Sequence, residues 1–298
     1  LWQRPKRVAC SSPHVNLMMM ETVSFMTTPE IKTVEQPANV DFAIIDLAID
    51  ESMLGWVYEQ MLQQPIQWGS LYQGTEWRER WRAGPILVEL RGVEDSIPEL
   101  AKEFSKEPKG LFVSATEMPF DEILERFTQQ ALVDYHGKLA AFRFYEPRHF
   151  TEFLTALTTD QRELLVLPGS EWSWHDSESW QLYASSHPAS WSDTKVGSIK
   201  LSDEQIGHFE KLKRLKRARS LATYYRGWIS AEEPEKAVYE HLETARKEGL
   251  DRTADQERWL RLALALSSPV EKSAAWRELA GNDQLTPRQK LAKMEETV

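Results

Sequence analysis

The chain has 298 residues, 41% hydrophobic and 28% charged, with a formal net charge of −10, which is ordinary for a globular protein with room for two domains. One cysteine, Cys10, excludes an internal disulfide framework and fits a reducing compartment such as the cytoplasm. No apolar run approaches the roughly 20 residues that span a bilayer, so no membrane partner is expected, and the acidic balance argues against general nucleic-acid binding.

Residues 1–37 lack a hydrophobic period and read as a disordered tail, or as sequence upstream of a true start at Met18, Met19, Met20 or Met26. VDFAIIDLA (40–48) is a β-rich apolar strand. Asp50 is placed to cap the helix that follows, whose Leu54, Val57, Tyr58 and Met61 share a face, and Pro65 marks its end. GSLYQG (69–74) and GPILVEL (84–90) read as strands separated by the charged TEWRERWRA (75–83). Ser96-Ile97-Pro98-Glu99 has the form of a capping box ahead of a helix buried through Ile97, Leu100, Ala101 and Phe104.

LFVSA (111–115) is the next strand, and Pro119 opens a helix with Ile123, Leu124, Phe127 and Ala131 inward. His136-Gly137 turns LVDY (132–135) back into KLAAFRFY (138–145). In that second arm Phe142 and Phe144 lie on one side, and Ala141, Arg143 and Tyr145 on the other. Pro147 ends the arm and starts a helix carrying Phe150, Phe153, Leu154 and Leu157. Residues 38–184 therefore point to the α/β (mixed α+β) class, with a mixed sheet flanked by helices.

Residues 185–199 are polar, aperiodic and rich in small side chains, and read as a linker or loop. Beyond them, 200–298 read as a smaller all-α C-terminal lobe. Its capping boxes are Ser202/Gln205, Thr253/Gln256, Ser268/Glu271 and Thr286/Gln289, and a further helix begins at Pro234.

Enzymatic signatures are absent: there is no G-x-S-x-G, P-loop, G-x-G-x-x-G or H-E-x-x-H. Cys10 sits in the patternless tail. Glu171, His175 and Asp176 in EWSWHDSE form a compact titratable set, but their spacing matches no metal-ligand pattern and they read as a polar loop pinned by tryptophans. Asp134 and His136 lie at a hairpin turn, where backbone geometry accounts for them. No catalytic residue, metal or cofactor is expected. Arg143 is expected to pair with Asp46 or Glu146 and to stack on Tyr145, and Glu146 offers Arg148 a counter-charge in the first helical turn.

Two features suggest contact surfaces. Twelve tryptophans cluster around Trp56, Trp68, Trp77 and Trp81, and around Trp172, Trp174, Trp180 and Trp191. KLKRLKRAR (211–219) is a basic run on a helix whose apolar stripe is Ile206, Phe209, Leu212, Leu215 and Ala222. Residues from Lys200 onward hold 19 basic and 17 acidic side chains, leaving 17 and 29 before it. Lys211, Lys213, Arg214, Lys216, Arg217 and Arg219 are thus candidates for docking on an acidic protein partner, with a solvated face or nucleic-acid contact as alternatives.

Four segments stand out in chain order. They are Ala43-Ile44-Ile45-Asp46, Trp68-Gly69-Ser70-Leu71-Tyr72-Gln73-Gly74, Gly84-Pro85-Ile86-Leu87-Val88 and Phe142-Arg143-Phe144-Tyr145-Glu146-Pro147-Arg148. Together they resemble the bacterial type VI secretion effector chaperone/adaptor family, DUF4123, over about 41–174, with Glu146 where aspartate is usual. The resemblance implies a cytoplasmic, non-catalytic protein that holds a toxic effector and helps load it onto the VgrG spike. It singles out Asp46, Trp68, Leu71, Tyr72, Gly84, Pro85, Arg143, Tyr145, Glu146, Pro147 and Arg148 as structural or partner-binding positions. An enzyme using the His175/Asp176 loop and a nucleic-acid binder using the basic helix are the alternatives.

Overall fold

The computed structural model describes residues 28–115, 118–135, 138–185, 199–266 and 269–298. The chain divides into two compact units between Phe209 and Glu210. The first runs β1 (Ile31–Val34), β2 (Phe42–Asp46), α1 (Met53–Gln63), β3 (Trp68–Ser70), β4 (Pro85–Glu89), α2 (Ile97–Lys106) and β5 (Gly110–Ser114). It continues through α3 (Phe120–Gln130), β6 (Leu132–Tyr135), β7 (Lys138–Ala141), α4 (Phe150–Ala156), α5 (Thr159–Leu165), β8 (Glu171–His175) and β9 (Trp180–Ala184).

Seven strands form one sheet in the order β1-β9-β8-β5-β2-β4-β3, and β6-β7 is a separate hairpin. The mixed α+β class is as expected, but every strand pairing is antiparallel instead of mixed. The reason lies in α2, which links β4 to β5 across β2. Those two strands run parallel to each other but are kept apart by the strand between them.

Helices cover both faces of the sheet, so β2 is apolar from Phe42 to Ile45. Phe42 and Ile44 join a core with Leu111, Ile123, Phe127 and Trp172, while Ala43 and Ile45 join another with Val57, Val88, Leu100 and Phe104. This is the period-two alternation of a strand buried on both sides.

Four local expectations need correction. Ile31–Val34, placed in the patternless tail, is a strand on β9; four residues of mixed polarity are too short to display a period. The 171–176 segment is not a loop: β8 alternates Trp172 and Trp174 into the core with Ser173 between them.

The arm 138–145 is a strand only to Ala141. Phe142 N still donates to Ala131 O at 2.8 Å in the hairpin register, but Glu146 N then bonds Arg143 O at 3.2 Å, so the chain turns beyond it. Neighbouring Phe144 and Tyr145 are both buried as a result, instead of facing opposite ways. On α1, Leu54 and Val57 are buried but Tyr58 and Met61 are exposed.

The caps are likewise mixed. Ser202/Gln205 and Thr286/Gln289 form the reciprocal boxes, as does Thr158/Gln161. Ser96 instead donates to Gln60 Oε1 at 2.8 Å, and Thr253 lies inside its helix while Gln256 bonds Leu250 O. Ser268 and most of the 185–199 linker lie outside the described residues.

Helix α6 (Asp203–Tyr224) starts in the first unit, where Gln205 Nε2 donates to Ala156 O at 3.2 Å. The division between the two units falls within this helix, at Phe209/Glu210. The second unit adds α7 (Pro234–Lys247), α8 (Thr253–Ala265), α9 (Ala274–Ala280) and α10 (Pro287–Glu295). Its centre is Trp259 against Trp276, edge to face at 4.7 Å, with Leu291 and Met294.

Candidate functional site

The family-motif residues converge where β2 ends. Asp46 is the last residue of that strand and is 1% exposed. Its carboxylate accepts from Ala48 N at 3.0 Å and from the Arg143 guanidinium. Arg143 also lies 3.5 Å from Glu146. Glu146 is gripped by Arg148 through two bonds, Nε to Oε1 at 2.6 Å and NH2 to Oε2 at 2.8 Å, the fork geometry that makes arginine specific for carboxylates.

Both guanidiniums are about half exposed, at 47% and 49%, so one face of each remains open to solvent. The expected contact between Arg143 and Tyr145 is also present, 5.9 Å from the ring centre.

The titration behaviour divides along the same lines. Burial raises the Asp46 carboxyl above its ordinary value, and Arg143 with the Ala48 N–H offsets this only in part. Burial pulls Glu146 the same way, but the hydrogen bond and charge of Arg148, helped by Arg143, hold it below its ordinary value. Burial lowers Arg143, yet Asp46 outweighs it and the guanidinium stays charged. Burial and the Tyr72 hydroxyl push the Tyr145 phenol up, so it remains protonated.

The second and third motifs form the wall behind this corner. The Tyr72 and Tyr145 hydroxyls are 3.1 Å apart. A Cβ on Gly84 would meet the Tyr72 ring at 2.2 Å, so only glycine allows that ring its position. Pro85 opens β4 opposite Asp46 in register and its carbonyl accepts from Leu71 N at 3.0 Å, a strand start being where proline is tolerated. Pro147 is buried and starts the 3-10 turn that leads into α4. Trp68 stands apart from the corner, against Tyr58 and Trp81 at 5.9 Å each.

Sequence reasoning missed one contributor. Lys109 is 5% exposed, bonds Asp50 Oδ2 at 2.6 Å, and presents its carbonyl to Asp46 N at 2.8 Å. Hydrogen bonds from Lys109 and Ser52 hold the Asp50 carboxyl below its usual range. A lone lysine 59 positions away gives no local signal.

The remaining candidates are occupied structurally. Trp172 and Trp174 are fully buried, which removes them as partner-binding residues; Phe150 stacks on Trp172 at 5.4 Å. His175 packs edge-on to Trp180 at 5.4 Å and burial lowers its pKa. Asp176 accepts from Glu178 N and Ser179 N at 3.0 Å each, closing the β8-β9 turn. Cys10 and His136 lie outside the described residues. Among the described residues, no group of His, Cys, Asp and Glu has metal-binding geometry.

In the second unit the basic run is partly neutralised. Arg214 meets Glu243 at 2.8 Å, Arg219 meets Glu235 at 3.2 Å and Lys213 meets Glu210 at 3.0 Å. Arg217 bonds Gln256 Oε1 at 2.7 Å and Thr253 O. Lys211 and Arg219 are exposed, while Lys216 is half-buried. The apolar stripe is rotated from the expected one: Leu215 is exposed, and Ala218 packs beside Ala222. Small alanines let α6 lie close to Val238 and Leu242.

Residues 42–164 match the family described as Domain of unknown function (DUF4123). The matched stretch begins with β2, ends within α5, and contains every residue of the corner. No curated protein and no solved structure matches the chain. No helix among the described residues is long and apolar enough to cross a membrane.

Proposed function

We propose that the chain is a non-catalytic chaperone/adaptor of the bacterial cytoplasm that holds a toxic effector and helps load it onto the VgrG spike of a type VI secretion system. The observation carrying this reading is the convergence of the four motif segments on one corner inside the stretch that matches DUF4123. Two half-exposed guanidiniums, oriented by the buried Asp46 and the half-buried Glu146, suit a surface that meets carboxylates of a protein partner.

The partners in this reading are the cognate effector and the spike protein. Co-expression with the effector encoded beside it should yield a stable complex by size exclusion. Deleting the gene should abolish delivery of that effector while leaving others unaffected. Undiminished delivery from the deletion strain refutes the reading. His175→Ala with Asp176→Ala should leave delivery unchanged, because both side chains serve the β8-β9 turn.

A further inference from the structure

One edge of the sheet is β3, which among the described residues pairs only with β4. Gly69 is opposite Leu87, Gln67 O accepts from Glu89 N, and Leu71 N donates to Pro85 O. These odd positions turn their backbone groups toward β4, so the N–H and C=O of Trp68 face away from the sheet. Helix α1 overhangs this edge from one face and α3 from the other, leaving an open groove of about 730 Å³ between Met61, Trp68, Phe120 and Leu124. Leu124 closes in so tightly that a Cβ on Gly69 would come within 2.7 Å of it. On the α1 side the apolar surface continues outward, with Tyr58, Met61 and Leu62 exposed.

We propose that this groove binds an extended polypeptide segment that adds to the edge of β3 and alternates apolar with basic side chains. Among the described residues the Trp68 N–H and C=O have no ladder partner, which makes them a template for strand addition. Alternation sets the side chains. Residues of an added strand would face Met61 and Trp68 at one position and α3 at the next.

The α3 wall specifies charge. Among the described residues, Asp121 and Glu125 are the charged residues lining the groove, both are exposed, and they stand one helical turn apart on one face. A lysine or arginine laid along Leu124 buries its alkyl stem there and brings its cation to these carboxylates. The inference does not depend on which protein supplies the segment.

The test is selection of random nine-residue peptides displayed on phage against the immobilised full chain, repeated with Asp121→Lys/Glu125→Lys. Circular dichroism should be unchanged in the variant and thermal melting only slightly lowered, since both side chains are at the surface and Asp121 lies in the first turn of α3. The wild-type protein should enrich peptides with apolar residues at alternate positions and basic residues between them. The charge-reversed variant should enrich acidic residues at those intervening positions. Methylating one central backbone nitrogen of the best peptide should weaken binding at least about tenfold, and methylating its neighbour should have little effect, as only every second amide enters a ladder. No enrichment, an identical consensus on the variant, or equal tolerance of both methylations would overturn the proposal.

Discussion

Arg143 and Arg219 both reach a carboxylate, and the two pairs differ in what surrounds the acid. Asp46 is 1% exposed and held by strand and turn, whereas Glu235 is 57% exposed on a helix surface. The exposed pair is well screened and its side chains are free to part. The Asp46 charge has little water to fall back on, so Arg143 acts as a requirement for burying it. The lesson is that an arginine's importance here follows the burial of its partner more than the length of the contact.

The largest effect should come from the core under the corner. Trp172→Ala removes a fully buried ring that packs on Phe150, Phe127 and Phe144, and should cost about 3–5 kcal/mol by denaturant unfolding. Loss of binding with unchanged stability would instead make Trp172 a contact residue.

Next is Arg143→Ala, expected to cost about 2 kcal/mol, the low side for a buried pair because the guanidinium is half exposed. The deficit should depend on pH. Asp46 already sits above its ordinary 3.8 because of burial, and losing Arg143 raises it further. A carboxyl with a raised folded pKa weakens the fold above that pKa, and the loss shrinks as pH falls through it toward the unfolded value. The difference in Tm between variant and wild type should therefore narrow from pH 8 toward pH 5. The comparison is best kept above 4.5, the ordinary value for Glu146, whose depressed folded pKa makes its own contribution fade on further acidification. A pH-independent difference would mean that Asp46 finds another partner.

Tyr72→Phe leaves the ring against Gly84 and removes one hydroxyl from the 3.1 Å pair; about 1 kcal/mol is expected. Arg219→Ala should be smallest, under about 0.5 kcal/mol and insensitive to pH between 6 and 8. If Arg219→Ala matched Arg143→Ala, the distinction drawn between the two pairs would collapse.

Much of the first unit was legible in sequence because its strands carry strong signals. Phe42–Asp46, Pro85–Glu89 and Gly110–Ser114 are apolar runs bounded by charge, proline or glycine. The corner was legible in its parts, since Arg143 between aromatics demanded an acid and Asp46 and Glu146 were at hand. What failed was geometry set at a distance. β8 hides its burial behind Glu171, Ser173 and His175, and the Tyr72–Tyr145 contact joins residues 73 positions apart. In the second unit, helical period gave the elements, but Leu215 and Ala218 exchanged the roles their hydrophobicity suggested. Close helix approach selects for small side chains as much as for apolar ones.

The pairing of β1 with β9 has a consequence during synthesis. Ile31 is aligned with Tyr183, 152 positions later, so the first strand must wait for the last before that edge of the sheet exists. At about 5–20 residues per second, the interval is on the order of 10–30 s. Because β8 is itself made only a few residues before β9, the exposed edge for much of that time is that of β5, whose backbone groups β8 later covers. Ribosome-bound chains released before residue 184 should accordingly be the aggregation-prone ones, and those released soon after should become resistant to protease.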